Sequence, residues 1–312
     1  MTFFFAIYLA HHSSFSDLGV DMTSKREFQT KEQLLHKIQE GESFGDGEDY
    51  CIPDYLKMAM EHTKTWFERH VKKAGRGKDS SESESTGLSM TPDELEHHYW
   101  ETVDTQKEKY TVDYGNDVDT VEFGSGFPRS ERGRGVNGKA NVATQFGPEP
   151  RFGTEEFYKE SYWNLNNIPC CPDSILRHIK VGINGINVPW MYYGNLFTTF
   201  CWHNEDNYMY SINYHHWGAP KQWYGIPGTK EDADGLEKVF KNYLSLKMRE
   251  DPDLLHHITT MFSPRLLQIA GVPVYKLTQF PGEFIVTFPR AFHGGFSFGP
   301  NIGEAVNFAT HE

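Results

Sequence analysis

His203 and Glu205, separated by one residue, and His293 some ninety residues later are the side chains of this chain best suited to holding a metal together. Two imidazoles and one carboxylate form the ligand set of facial-triad iron(II) sites, which leave three coordination positions open for a chelating cosubstrate and O2. Alternate residues of a strand project from one face about 7 Å apart, so a strand carrying His203 and Glu205 would let both reach one ion. His293 would then come from a strand remote in sequence and adjacent in space. With fifteen histidines in 312 residues, such a triplet arises easily by chance, and its weight depends on its surroundings.

Those surroundings are polar where a strand should be half apolar. From His203 to Tyr214 the odd positions include His203, Glu205, Ser211 and Asn213, with a turn expected at Asp206-Asn207. A polar inner face must bind something, because burying it unpaired is costly. Lys221 follows on the next run, and a lysine inside a barrel needs an anion; the C5 carboxylate of 2-oxoglutarate would be one.

The positioning elements can be read around these residues. Residues 1–25 read as a disordered leader. Residues 26–90 read as a helical region ending in a flexible Ser/Glu linker, with helical periodicity over 26–41 and 53–71 and Tyr55, Met58, Ala59, His62, Trp66 and Phe67 near one face. Residues 91–161 form an approach segment. Thr91-Pro92-Asp93-Glu94 opens a helix with Leu95, Tyr99, Trp100 and Val103 on its apolar face. A strand follows from Tyr110 to Gly115, then a long loop over 124–155. Residues 162–312 hold eight short aromatic or β-branched runs, at 179–181, 190–193, 197–200, 208–214, 222–226, 274–279, 283–288 and 305–308, interrupted by a helical insertion at 230–257. That pattern predicts a mainly β fold with helices, a jelly roll or barrel.

Composition narrows the functional classes. Aromatics make up 15% of the chain and the net charge is −13, which opposes direct binding to nucleic acid and either attracts a basic partner or serves only solubility. Cys51, Cys170, Cys171 and Cys201 form neither a zinc pattern nor a secretory disulfide framework, which fits a reducing compartment. The apolar run Met1–Ala10 is too short to span a bilayer and has no basic residue before it, so neither a membrane anchor nor a signal peptide is expected. The basic run Lys72, Lys73, Arg76 and Lys78 is either a nuclear-import patch or a solvated loop. The pairs His97-His98, His215-His216 and His256-His257 read as surface or helix histidines.

Taken together, the segments Phe123–Pro128, Trp163–Pro169, Val188–Tyr192, Phe200-Cys-Trp-His-Asn-Glu-Asp206, Tyr210–Tyr214, His216-Trp-Gly-Ala-Pro-Lys-Gln-Trp-Tyr-Gly225, Pro252–His256, Val272–Tyr275, Gly282–Arg290 and Glu304–Phe308 resemble, in this order, a Jumonji C (JmjC) domain. Within that superfamily they resemble the JARID group of histone H3 lysine-4 demethylases. The resemblance spans about residues 91–310 and implies a double-stranded β-helix, cupin-like core. It implies Fe(II) on His203, Glu205 and His293, with 2-oxoglutarate and O2 as cosubstrates. Lys221 and Tyr114 would meet the distal carboxylate, Phe200 would pack on the cosubstrate chain, Ser211 and Asn213 would bond its coordinating end, and Trp223 would wall the pocket. Tyr192 and Asn307 would face the metal and the methylated lysine. The implied reaction is N-methyl hydroxylation on a methylated histone tail, with release of formaldehyde and succinate, in the nucleus. Contacts with chromatin complexes would run through regions outside this chain, and no JmjN segment or zinc module is evident in it. A JmjC protein hydroxylase and a non-catalytic chromatin-binding module are the alternatives.

Overall fold

The computed structural model describes residues 5–7, 20–41, 43–71, 90–129, 154–244 and 260–311. The leader other than 5–7 and its last residues, the Ser/Glu linker with its basic run, most of the expected long loop, and the end of the helical insertion with His256 and His257 lie outside the described residues.

The N-terminal half supplies an edge and a buttress. A short strand β1 (Phe5–Ile7) is followed by the antiparallel pair β2 (Glu27–Leu34) and β3 (Phe44–Cys51), then by helices α1 (Ile52–Val71) and α2 (Pro92–Thr105). Strand β4 (Thr111–Asp119) and short helices α3 (Thr120–Phe123) and α4 (Glu155–Glu160) lead into the rest. Helix α2 starts as its sequence indicates. The Thr91 side chain accepts from the Glu94 N–H, and Glu94 reaches back to the Thr91 N–H, so a capping box closes the first turn. Its buried face carries Leu95, Tyr99 and Val103, and the Tyr99 ring stacks on Phe296 at 3.8 Å between centroids.

Eight strands follow: β5 (Trp190–Gly194), β6 (Thr199–His203), β7 (Tyr210–Gly218), β8 (Lys221–Gly225), β9 (Tyr275–Gln279), β10 (Phe284–Thr287), β11 (His293–Ser297) and β12 (Asn301–Phe308). Helices α5 (Lys230–Tyr243) and α6 (Pro264–Ile269) lie between β8 and β9. One sheet has the order β1-β10-β7-β12-β5-β4-β2-β3 and the other β6-β11-β8-β9, all paired antiparallel. Along β5 to β12 the chain therefore crosses between the sheets at every connection except β8–β9. This is jelly-roll topology, and the inner faces of the two sheets enclose the site. No helix among the described residues is long and apolar enough to cross a membrane.

Several expectations need correction. Residues 27–34 form a strand with alternating burial rather than a helix, and only Leu35–Glu40 is helical, as a 3-10 turn. The two elements in tandem merged into one apparent period. Strand β4 runs past Gly115 to Asp119. Residues 179–181 form no strand, whereas β11, absent from the eight predicted runs, carries His293. His215 and His216 are buried in the centre of β7 rather than at the surface. His216 Nε2 lies 2.8 Å from the fully buried Glu304 carboxylate, which also accepts from the Ser125 hydroxyl and the Gly126 N–H. This network pins the Ser125–Gly126 segment to the outer face of β7 and β12.

Candidate metal centre

Strands β6 and β11 pair so that His203 and His293 are direct cross-strand partners, which brings their ring centroids to 4.3 Å. Strand β6 ends at His203, so Glu205 does not share a strand with it as expected. Glu205 instead begins the turn Asp206–Tyr208, in which Asn207 and Tyr208 take left-handed backbone. The turn still swings the carboxylate inward: Glu205 Oε1 lies 3.4 Å from His293 Nε2, and one donor atom from each of the three residues falls within 4.8 Å of the others.

The tautomers are fixed from behind. His203 Nδ1 donates to the Cys201 carbonyl at 2.7 Å and His293 Nδ1 to the Ala291 carbonyl at 3.0 Å. Each ring then presents an Nε2 lone pair to the shared space, the form a metal requires. The Asn307 amide donates to Glu205 Oε2 at 2.8 Å and to the Tyr210 carbonyl at 3.1 Å, which orients the carboxylate. Burial, and then the neighbouring His293, hold His203 down to about 4. Burial alone would raise the Glu205 acid, but the hydrogen bond and charge of His293, then His203 and Asn307, bring it to about 2. Two imidazole nitrogens and one carboxylate form a donor set that fits a divalent transition metal with open positions.

The start of β6 is itself clamped. The Gln33 side chain of β2 both accepts from the Thr199 N–H and donates to the Thr199 carbonyl. Through this contact the N-terminal sheet edge reaches the strand that carries His203.

The other residues given a role by the resemblance sit on β4 (Tyr114), β5 (Tyr192), β6 (Phe200), β7 (Ser211 and Asn213), β8 (Lys221 and Trp223) and β12 (Asn307). Lys221 on β8 is 2% exposed, and burial pushes its amine down to about 8. No carboxylate among the described residues forms an ion pair with it, so the barrel interior contains a dehydrated cation suited to an anionic ligand. The Tyr192 ring on β5 lies 5.8 Å from that ammonium and 6.3 Å from the ring of Tyr114 on β4. Phe200 on β6 packs on Trp223 of β8 at 4.6 Å between centroids. Ser211 on β7 bonds Thr287 at 2.6 Å and sits opposite Asn307 of β12.

Gln279 escaped sequence reading. Its carbonyl oxygen accepts from the Trp223 indole N–H and its amide donates to Asn213 Oδ1, so one side chain orients two pocket residues. Its signal is only a polar residue at the end of a buried strand. Glycines let neighbouring groups approach the backbone closely here. A Cβ on Gly295 would fall 2.5 Å from the Phe200 ring and 2.0 Å from the Gln222 carbonyl, and one on Gly303 would lie 3.1 Å from Lys221 Nζ.

Comparison with known proteins agrees with this geometry. Residues 190–308 match the family model described as "JmjC domain, hydroxylase". The chain is 48% identical over 280 residues to lysine-specific demethylase 5B of Gallus gallus, covering 89% of this chain and 16% of that protein. It is 40% identical over 275 residues to lysine-specific demethylase JMJ703 of Oryza sativa subsp. japonica, covering 87% and 20%. It is 39% identical over 278 residues to lysine-specific demethylase JMJ17 of Arabidopsis thaliana, covering 89% and 20%. The chain thus spans about a fifth or less of the length of these relatives. The similarity also extends well N-terminal of residue 91, beyond the stretch over which the motifs carried it. The barrel built from β5 to β12, with its two histidines and one glutamate, thus matches the JmjC domain over residues 190–308, and the chain is similar to the portions of these lysine-specific demethylases that it covers.

Proposed function

We propose that this chain carries the catalytic core of a nuclear histone lysine demethylase that depends on Fe(II) and 2-oxoglutarate and acts on di- or trimethylated lysine 4 of histone H3. The observation that carries the reading is the presence, on and beside one four-stranded sheet, of a preformed two-nitrogen, one-oxygen donor set and a buried ammonium without a protein counter-ion among the described residues. Ferrous iron held by His203, Glu205 and His293 would supply oxidation of an N-methyl C–H bond with consumption of 2-oxoglutarate and O2, releasing succinate, CO2 and formaldehyde.

The residues of the chain have distinct tasks in this scheme. Lys221 and the Tyr114 phenol bind the distal carboxylate of the cosubstrate. Ser211 and Asn213 hold its coordinating end, and Phe200 and Trp223 cover its chain and exclude water. Asn307 fixes Glu205, and with Tyr192 it borders the space for the methylated side chain. Oxidation at carbon needs no lone pair on nitrogen, so trimethyl-lysine is an allowed substrate. The net charge of −13 favours a basic tail.

The test is mass spectrometry on a panel of trimethylated histone peptides incubated with the protein, iron, ascorbate and 2-oxoglutarate. Loss of 14 mass units, about one methylene, is expected from the lysine-4 peptide with wild type and not with His203→Ala. An unchanged panel overturns the proposal. Hydroxylation of a peptide without formaldehyde release would favour a protein hydroxylase instead.

A further inference from the structure

Asp117 stands at a kink of β4. Pairing of that strand with β5 shifts register between Gly115 and Val118, and Asp117 takes a left-handed backbone with φ 56°. Few residues with a side chain tolerate this conformation, although Asp and Asn do so better than most. A bulge of this kind re-aims a side chain, and such conformations cluster at functional sites.

The side chain is aimed at Tyr192. The Tyr192 hydroxyl donates to the Asp117 carboxylate, and Asn116 Nδ2 donates to Asp117 Oδ2 at 2.5 Å. Tyr192 also lies beside Tyr114 and Lys221 and within the electrostatic reach of Glu205, so one side chain separates Asp117 from the surroundings of the donor set. The residue is solvent-accessible, yet its neighbours dehydrate the carboxyl enough to push it up to about 6, against the opposing hydrogen bonds from Tyr192 and Asn116 and the charge of Lys31. That lysine is itself bonded to Asp46 at 2.8 Å. The charge of Glu205 is committed to the donor set. Asp117 is therefore a carboxylate whose charge no dedicated ion pair among the described residues cancels.

We propose that Asp117 is a specificity-determining residue whose carboxylate, held beside Tyr192, recognises the positive charge of a methylated ammonium substrate. The proposal rests on the functional reading above for the identity of that substrate. A quaternary ammonium has no N–H to donate, so only aromatic faces and negative charge can select it. Tyr192 offers the first and Asp117 the second.

The test compares two histone H3 N-terminal peptides, one trimethylated at lysine 4 and one whose side chain ends in a neutral quaternary carbon of the same shape. Binding is measured by calorimetry on the whole chain loaded with manganese(II) and 2-oxoglutarate. Wild type should prefer the cationic peptide by about five- to tenfold, the range for a partly solvated charge pair. Asp117→Asn and Asp117→Gly both tolerate the left-handed backbone, so neither should misfold for conformational reasons, and thermal unfolding checks that directly. Both variants should lose most of the preference by weakening the cationic peptide alone. Equal loss for the two peptides, no loss, or no preference in wild type overturns the proposal. Binding preference is independent of turnover. A protein that discriminates the peptides but forms no succinate would refute the demethylase reading and leave this one standing.

Discussion

Replacing Lys221 with methionine should make the ligand-free protein more stable while abolishing its response to a dicarboxylate. The amine is 2% exposed, has no carboxylate paired with it among the described residues, and is pushed from 10.5 down to about 8 by burial. A drop of that size means that holding the charged form costs the fold on the order of 3 kcal/mol near neutral pH. Below pH 8 both folded and unfolded chains carry the proton, and the whole cost is present. Between about pH 8 and 10.5 the folded chain loses its proton first, the unfolded state binds more protons, and stability rises with pH. Methionine has similar volume and no charge, so Lys221→Met removes the cost without opening a cavity.

The expected gain at pH 7 is roughly 2–3 kcal/mol in urea unfolding, an order-of-magnitude figure. The difference between variant and wild type should shrink towards zero as pH rises from 8 to 10.5, and common titrations elsewhere cancel in that difference. Added 2-oxoglutarate should stabilise wild type by mass action and leave the variant unmoved. In wild type that stabilisation should weaken above about pH 8, because the neutral amine has no charge to offer. A variant less stable than wild type at pH 7, or equal stabilisation of both by the ligand, would refute the reasoning.

Other outcomes follow from the same contacts. Asn307→Ala frees Glu205 Oε2, and cobalt(II) titration of the metal-free protein should show affinity weakened about tenfold or more, the usual effect of losing a residue that orients a ligand. His216→Ala leaves the fully buried Glu304 without its imidazole partner and should lower unfolding free energy by about 3–5 kcal/mol, whereas Glu304→Gln paired with His216→Ala should recover part of it. Gly295→Ala drives a methyl into the Gln222 carbonyl and the Phe200 ring, and should cost about 1–3 kcal/mol or more in thermal unfolding. Tyr208→Ala removes the ring beneath the Arg290 guanidinium, 5.2 Å from its centroid, and so loosens the two turns next to Glu205 and His293. A two- to fivefold weaker cobalt(II) affinity is expected, about 0.5–1 kcal/mol, with Tyr208→Phe near wild type.

The donor residues were legible because metal chemistry demands particular side chains, and His203, Glu205 and His293 announce it by type. Lys221 was legible for the complementary reason, as a cation in a run that had to be buried. What escaped notice has equally physical causes. Strand β11 reads His-Gly-Gly-Phe-Ser, and two glycines erase the alternation by which strands are found. Glycine is required there because Phe200 and the Gln222 carbonyl occupy the space a side chain would need. Gln33 and Gln279 look like surface residues, yet both are buried and complete the hydrogen bonding of β6 and the pocket wall. Asp117 had a faint signal, since a Gly-Asn-Asp run inside a strand is a bulge signature. His216 misled because its partner, Glu304, lies almost ninety residues away.

Gly303 passes directly across from the Lys221 ammonium, with room for barely one more atom between them. The space left around the ammonium is therefore set in part by a side chain that is missing. A methyl group at that position would press on the ammonium and crowd any anion drawn to it. Access of an anion to Lys221 would then be controlled from β12, a strand that carries none of the three donor residues.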